Sequence, residues 1–189
     1  MDFLSYIKRF FKKASAVEER VPSEKERHFL EDVFSGNYKK KALLSFLTSP
    51  FKIDGNILSH TNILESKTIG ELLHDLEYKV DVVDFNQDLA KDNISYDLVV
   101  GFGRPVEQWL HRSDGNGKLL LYRNGCNAAF SDTLALERLR KIQNTRGQIL
   151  IDSVRIHDEN LVSSEWFADC LIALGNEFVR NTYEGRTTG

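Results

Sequence analysis

The sequence predicts one α/β domain in which a mainly parallel sheet carries helices on both faces. Three observations point there. From Lys41 onward short apolar runs alternate with amphipathic stretches, the strand–helix alternation that builds a parallel sheet. The runs are apolar at nearly every position rather than at every second one, so both faces of each strand are covered. The chain has 189 residues, 41% hydrophobic and 28% charged, which suits one globular core with some extra length. Right-handed crossovers then give a Rossmann-like, doubly wound fold.

Each element has its own justification. In residues 3–13, Phe3, Leu4, Ile7, Phe10 and Phe11 share one helical face, and Lys8, Arg9, Lys12 and Lys13 lie elsewhere. Residues 15–38 read as a charged connector punctuated by Pro22 and Gly36, with a short helix between them. "KALLSFLT" (41–48) is a buried strand. A helix over 62–77 follows, striped by Ile69, Leu72, Leu73 and Leu76. In "SHTNILESK" Asn62 suits the N-cap, and Glu65 stands three residues on, the spacing of a capping box. "KVDVVDF" (79–85) and "YDLVVGF" (96–102) are strands. "RPVEQWLHR" is a short helix with Pro105 in its first turn, where a missing N–H costs little. "KLLLYR" (118–123) is a strand, and Gly147 closes a helix over 132–146. "GQILI" is a weaker strand and "CLIALG" (170–175) a stronger one. Residues 1–38 thus form leader and connector, 39–184 the domain and 185–189 a tail. No internal repeat is visible.

Charge is unevenly spread. Residues 1–14 carry four cations against Asp2 alone, a net +3, which leaves −6 on the rest of a chain whose total is −3. A basic amphipathic leader on an acidic body suits an anionic surface, so Phe3, Ile7, Lys8, Arg9, Phe10, Phe11, Lys12 and Lys13 are candidate membrane contacts. No run approaches the ~18 apolar residues of a membrane span. The start lacks the apolar core of a signal peptide. Cys126 and Cys170 show no metal spacing. The expectation is a cytoplasmic chain, peripheral on the inner face of the membrane, with no nucleic-acid partner, metal or cofactor.

In a doubly wound sheet the ligand crevice lies outside the carboxyl ends of the strands. The loop "SPFKIDGNILSHTN" after the first strand exceeds the usual ~2–6 residues, and long loops in compact domains are often functional. His60 and Thr61 are not needed for the capping box and stand at the crevice mouth, beside a helix N-terminus. "GFGRP" fails the dinucleotide fingerprint at its third glycine, where Val106 stands, so its glycines read as a tight turn, with Arg104 in reach of a phosphate. Asp84 ends the second strand, where dinucleotide enzymes hold a ribose hydroxyl, but no glycine-rich turn follows the first strand. The five histidines show no metal spacing, and His74 reads as a surface or packing residue.

The segments "KALLSFLTSPF", "SHTNILESKTIGELLHDLEYKVDVVDF", "YDLVVGFG" and "WFADCLIALGNEFVRNTY" resemble the N-terminal half of bacterial glycosyltransferases, the retaining, nucleotide-sugar-dependent enzymes of the two-domain GT-B fold. The resemblance covers roughly residues 40–184, and its most specific parts are "SHTNILES" and "ADCLIALGNEF". It implies an acceptor-side domain facing a C-terminal donor-binding domain. Gly55, His60, Thr61 and Asn62 would then line the interdomain cleft with Arg104 and Asn127, and Gly175, Asn176 and Glu177 would lie near the hinge. The implied acceptor is a sugar or a lipid-linked glycan.

Two departures stand out. Family members often carry a histidine near the position of Asn127. The donor-binding glutamates and diphosphate-binding basic residues of the second domain are absent, because the sequence stops at "YEGRTTG". The reading is therefore half of a transferase, inactive alone, either truncated or completed by a partner half in trans, with no catalytic residue assigned. The alternatives are a non-catalytic sugar- or protein-binding module and, third, a small nucleotide enzyme, which the missing fingerprint disfavours.

Overall fold

A computed structural model describes residues 28–52, 60–89, 95–112, 116–150, 154, 156–157 and 164–184. The leader helix of residues 3–13, Gly55 and the tail 185–189 lie outside the described residues.

The apolar runs form the strands β1 (Phe29–Leu30), β2 (Lys40–Phe46), β3 (Tyr78–Asp84), β4 (Leu98–Gly101), β5 (Lys118–Arg123) and β6 (Cys170–Ala173). They make one sheet in the order β1-β3-β2-β4-β5-β6. β2 pairs in parallel with both β3 and β4, β4 with β5, and β5 with β6; β1 alone runs antiparallel, on β3. The mainly parallel, doubly wound sheet expected from the sequence is therefore present.

The described helices include α1 (Thr61–Asp75), α2 (Arg104–Arg112), α3 (Ala128–Arg146) and the short α4 (Glu177–Asn181), and residues 164–167 are helical as well. The near-continuous apolar strands place side chains on both faces, and each face has its own core. On one face Leu43, Val83, Val99, Leu119 and Leu121 pack with Val106 and Trp109 of α2. On the other, Ala42, Leu44, Phe46, Val80 and Val82 pack with Leu73 of α1. β2 is buried throughout Ala42–Phe46, as the central strand of such a sheet must be.

Four expectations are corrected. α1 starts at Thr61, and its N-cap is His60 rather than Asn62. The short helix expected between Pro22 and Gly36 gives way, among the described residues, to the strand β1. "GQILI" forms no strand over 147–150, and Ile149 and Leu150 stay exposed. α3 begins four residues earlier than expected, because Asn127 caps it through Phe130 N, and Gly147 closes it as expected.

Candidate functional site

Leaving β1 aside, the parallel strands follow the order second, first, third, fourth, fifth. The winding therefore reverses at β2, between β3 and β4, and the crevice of such a sheet opens outside the carboxyl ends there. β2 runs out through Thr48 into a 3-10 turn, Ser49–Phe51. The Thr48 amide donates to Asp84 Oδ1 at 2.6 Å and its hydroxyl to Oδ2 at 3.1 Å. The Lys52 ammonium donates in turn to the Thr48 hydroxyl at 2.7 Å. His28 Nδ1 stands 2.8 Å from Asp84 Oδ2. The Asp84 carboxylate thus ties the exits of β2 and β3 to the entry of β1, rather than standing free for a ribose.

Above this seam lies an aromatic row. Phe85 meets Phe102 with ring centroids 5.1 Å apart, Phe102 meets Phe46 at 5.5 Å, and Phe46 meets Tyr122 at 5.8 Å. The row crosses the exits of β3, β4, β2 and β5. Its outer end is open, with Phe85 exposed and Phe102 half-buried, whereas Phe46 and Tyr122 are buried. Burial pushes the Tyr122 hydroxyl up to about 12, and its hydrogen bond to the Glu65 carboxylate adds to the shift. At neutral pH Tyr122 is therefore a protonated donor, and Glu65 is held across the crevice instead of reaching back to close a capping box. Ser66 fixes this first turn of α1 by donating to Leu47 O at 2.8 Å and accepting from Leu47 N at 3.3 Å.

His60 Nδ1 accepts from Asn62 N at 3.2 Å, so the imidazole does the capping that the sequence suggested for Asn62. His60 and Thr61 remain exposed and Asn62 is half-buried. They stand at the N-terminal end of α1, the end that also carries Glu65.

The "GFGRP" turn is architectural. Gly101 and Gly103 have φ of +125° and +90°, and a Cβ on them would stand 2.0 Å from Ser45 O and 2.2 Å from Phe85 O. Only glycine lets the β4 exit pass so close to the exits of β2 and β3. Arg104 N donates to Phe85 O at 2.9 Å, and its guanidinium is paired with Asp88 at 2.8 Å.

The β5 exit is locked from beneath. The Glu165 carboxylate, fully buried, accepts from Asn127 Nδ2 at 2.6 Å and from Ala128 N at 3.2 Å, and lies 3.2 Å from Arg123 Nε. Asn127 is only 2% exposed, and both ends of its amide are used inside the protein. Tyr183 donates to Gly125 O at 2.9 Å. Burial raises the Tyr183 pKa, against the opposing hydrogen bond from Arg123. Past β6, Asn176 caps α4 through Val179 N at 3.3 Å, and Glu177 pairs with Arg180 at 3.4 Å on the surface. Gly175, Asn176 and Glu177 are exposed beside the β5 exit rather than beside His60.

Sequence reasoning singled out His60–Asn62 and missed the groups that meet the aromatic row. Glu65 was visible only as a cap partner, and Tyr122 only as a strand residue. Glu165 carried no signal. Among the described residues no group of three or more His, Cys, Asp or Glu is placed to hold a metal ion, and no helix is long and apolar enough to cross a membrane. Comparison with family models, curated proteins and solved structures returns no match.

Proposed function

We propose that this chain is the acceptor-side half of a nucleotide-sugar-dependent glycosyltransferase of glycan or cell-envelope polysaccharide synthesis. The donor is gripped by the second domain of the GT-B pair. The observation that carries this reading is the row Phe85–Phe102–Phe46–Tyr122, topped by Glu65 and the start of α1, at the switch point of the sheet. An apolar floor with a few fixed polar groups is the usual make-up of a small-molecule site. A pyranose offers the matching surfaces: its C–H face lies on Phe85 and Phe102, and its hydroxyls donate to Glu65. The resemblance of "SHTNILES" and "ADCLIALGNEF" to GT-B N-terminal domains supports the same assignment.

Sugar transfer needs preorganised groups around the leaving diphosphate, and one domain supplies only the acceptor side of them. The purified chain is expected to release no nucleotide from any nucleotide sugar above an unrelated-protein control, and to bind mono- and disaccharides weakly. In ¹H–¹⁵N spectra a sugar panel should shift the amides around Glu65, Phe85 and Phe102. His60→Ala should weaken that binding. His74→Ala should not, because His74 is packed between Phe34 and Tyr38, with ring centroids 4.9 and 5.3 Å away. Sustained nucleotide release, or a sugar panel that leaves these amides unmoved, overturns the proposal.

A second reading, a non-catalytic sugar-binding module, is favoured by Asn127. Where family members often present an imidazole, this chain has a buried amide spent on Glu165 and Phe130. A donor-binding domain added in trans separates the two readings: it restores transfer in the first and not in the second.

A further inference from the structure

His28 is mounted on the carboxylate that seals the β2–β3 seam. Thr48 N and the Thr48 hydroxyl donate to Asp84 Oδ1 and Oδ2, so both carboxylate oxygens are oriented independently of the imidazole. His28 Nδ1 then stands 2.8 Å from Oδ2. A carboxylate only accepts, so in the neutral ring Nδ1 carries the proton and Nε2 is the acceptor. The main chain holds the same residue, because Asp84 N donates to His28 O at 3.0 Å. The imidazole nevertheless reaches solvent: the His28 side chain is 39% exposed, against 17% for Asp84.

Strand register puts this pair on the face that bears the aromatic row. The β1–β3 ladder, with Phe29 opposite Val83, sets His28 opposite Asp84, and Phe46 of β2 stands opposite Asp84 from the other side. Residues opposite one another share a face, and for Phe46 that face is the one α1 covers. Asp84 also directly precedes Phe85, the open end of the row. Glu65 stands at the other end, where it accepts from Tyr122 of β5. The exits of β3 and β5 are three strand spacings apart in the sheet, roughly 14 Å. A single pyranose ring is about as wide as one such spacing. We propose that His28, oriented by Asp84, is a second hydroxyl-accepting group of this crevice, and that the acceptor it takes is an oligosaccharide of at least two pyranose units. One ring, over Phe102, donates to Glu65; the next, over Phe85, donates to His28 Nε2. A monosaccharide reaches only one of the two groups. The inference rests on the sugar-site reading and extends it to the length of the acceptor.

The unmodified full chain tests this. Cellobiose, maltose and N,N′-diacetylchitobiose are each titrated beside their own monosaccharide and followed in ¹H–¹⁵N spectra. At least one disaccharide should bind roughly five- to tenfold tighter than its monosaccharide, the worth of one added hydrogen bond. Diethyl pyrocarbonate, which acylates an unprotonated imidazole nitrogen, should modify His28, and the same disaccharide should slow that reaction several-fold. Modification of His111, exposed at the end of α2 on the opposite face of the sheet, should proceed unchanged. His28→Ala should bring disaccharide binding down to the monosaccharide level and leave monosaccharide binding as it was, whereas loss of a merely structural residue would weaken both alike. Should that variant misfold, protection of His28 in the unmodified chain decides. Disaccharides that shift the amides of Glu65, Phe85 and Phe102 but leave His28 unprotected, or bind no tighter than monosaccharides, overturn the inference and leave the sugar-site reading standing. Sugars that shift none of these amides overturn both.

Discussion

Arg123 and Glu165 determine how the β5 exit loop is held. The Glu165 carboxylate is wholly inside the protein and Arg123 is nearly so. Such a pair contributes little net stability over an apolar replacement, but breaking it from one side strands a buried charge. Arg123→Met should therefore destabilise the chain by about 3–5 kcal/mol in urea unfolding. The double variant Arg123→Met/Glu165→Gln should be more stable than Arg123→Met alone, since the stranded charge is gone and a glutamine still accepts from Ala128 N. Costs that simply add would show that the two groups do not work as a pair. None of this was visible in the sequence, because Glu165 stands 37 and 38 residues from Ala128 and Asn127, the groups it holds. Residue periodicity reports which face is buried, not which distant polar groups meet there. His60 shows the same limit at short range. Asparagine outranks histidine as an N-cap, yet the chain enters α1 one residue earlier and the imidazole takes the role.

The strands β2 to β6 were legible because buried parallel strands leave continuous apolar runs, and no bound moved by more than two residues. β1 was not, since two residues carry no periodicity and its pairing with β3 is a tertiary event. "GQILI" misled for the opposite reason: it is apolar, but its residues 147–150 find no strand to pair with. The reading of "GFGRP" as a tight turn holds, and it sets a test at the level of the element. Gly103→Ala places a methyl 2.2 Å from Phe85 O at a φ of +90°, so the β4–α2 turn must open. The expected cost is at least about 2 kcal/mol of stability. Gly125, where an added Cβ meets nothing within 4 Å, is the matched control, and Gly125→Ala should be close to neutral. Equal melting temperatures for the two variants would remove the turn from the architecture of the crevice.

At the scale of the whole molecule, charge and apolar surface are both lopsided. Ten of the fourteen exposed large apolar residues among those described fall between Leu134 and Phe178 in the sequence. The sequence before β1 carries the basic amphipathic leader. We propose that residues 3–13 lie on an anionic membrane surface, bringing the crevice near a lipid-linked acceptor. Phe3, Leu4, Ile7, Phe10 and Phe11 share the face that would enter the interface, and Lys8, Arg9, Lys12 and Lys13 each add ~1 kcal/mol of attraction near anionic headgroups. Docking of the same stripe on a protein surface would bury the apolar residues without needing the cations. Vesicle sedimentation separates the two. On a membrane, the full chain should pellet with vesicles containing phosphatidylserine and not with phosphatidylcholine alone, and salt should weaken the binding because the attraction is screened within about 10 Å at 0.1 M. Replacing the four cations with glutamine should abolish it, while Lys39→Gln, outside the leader, should leave it unchanged. Equal pelleting with both vesicles, or none with either, assigns the leader to protein packing.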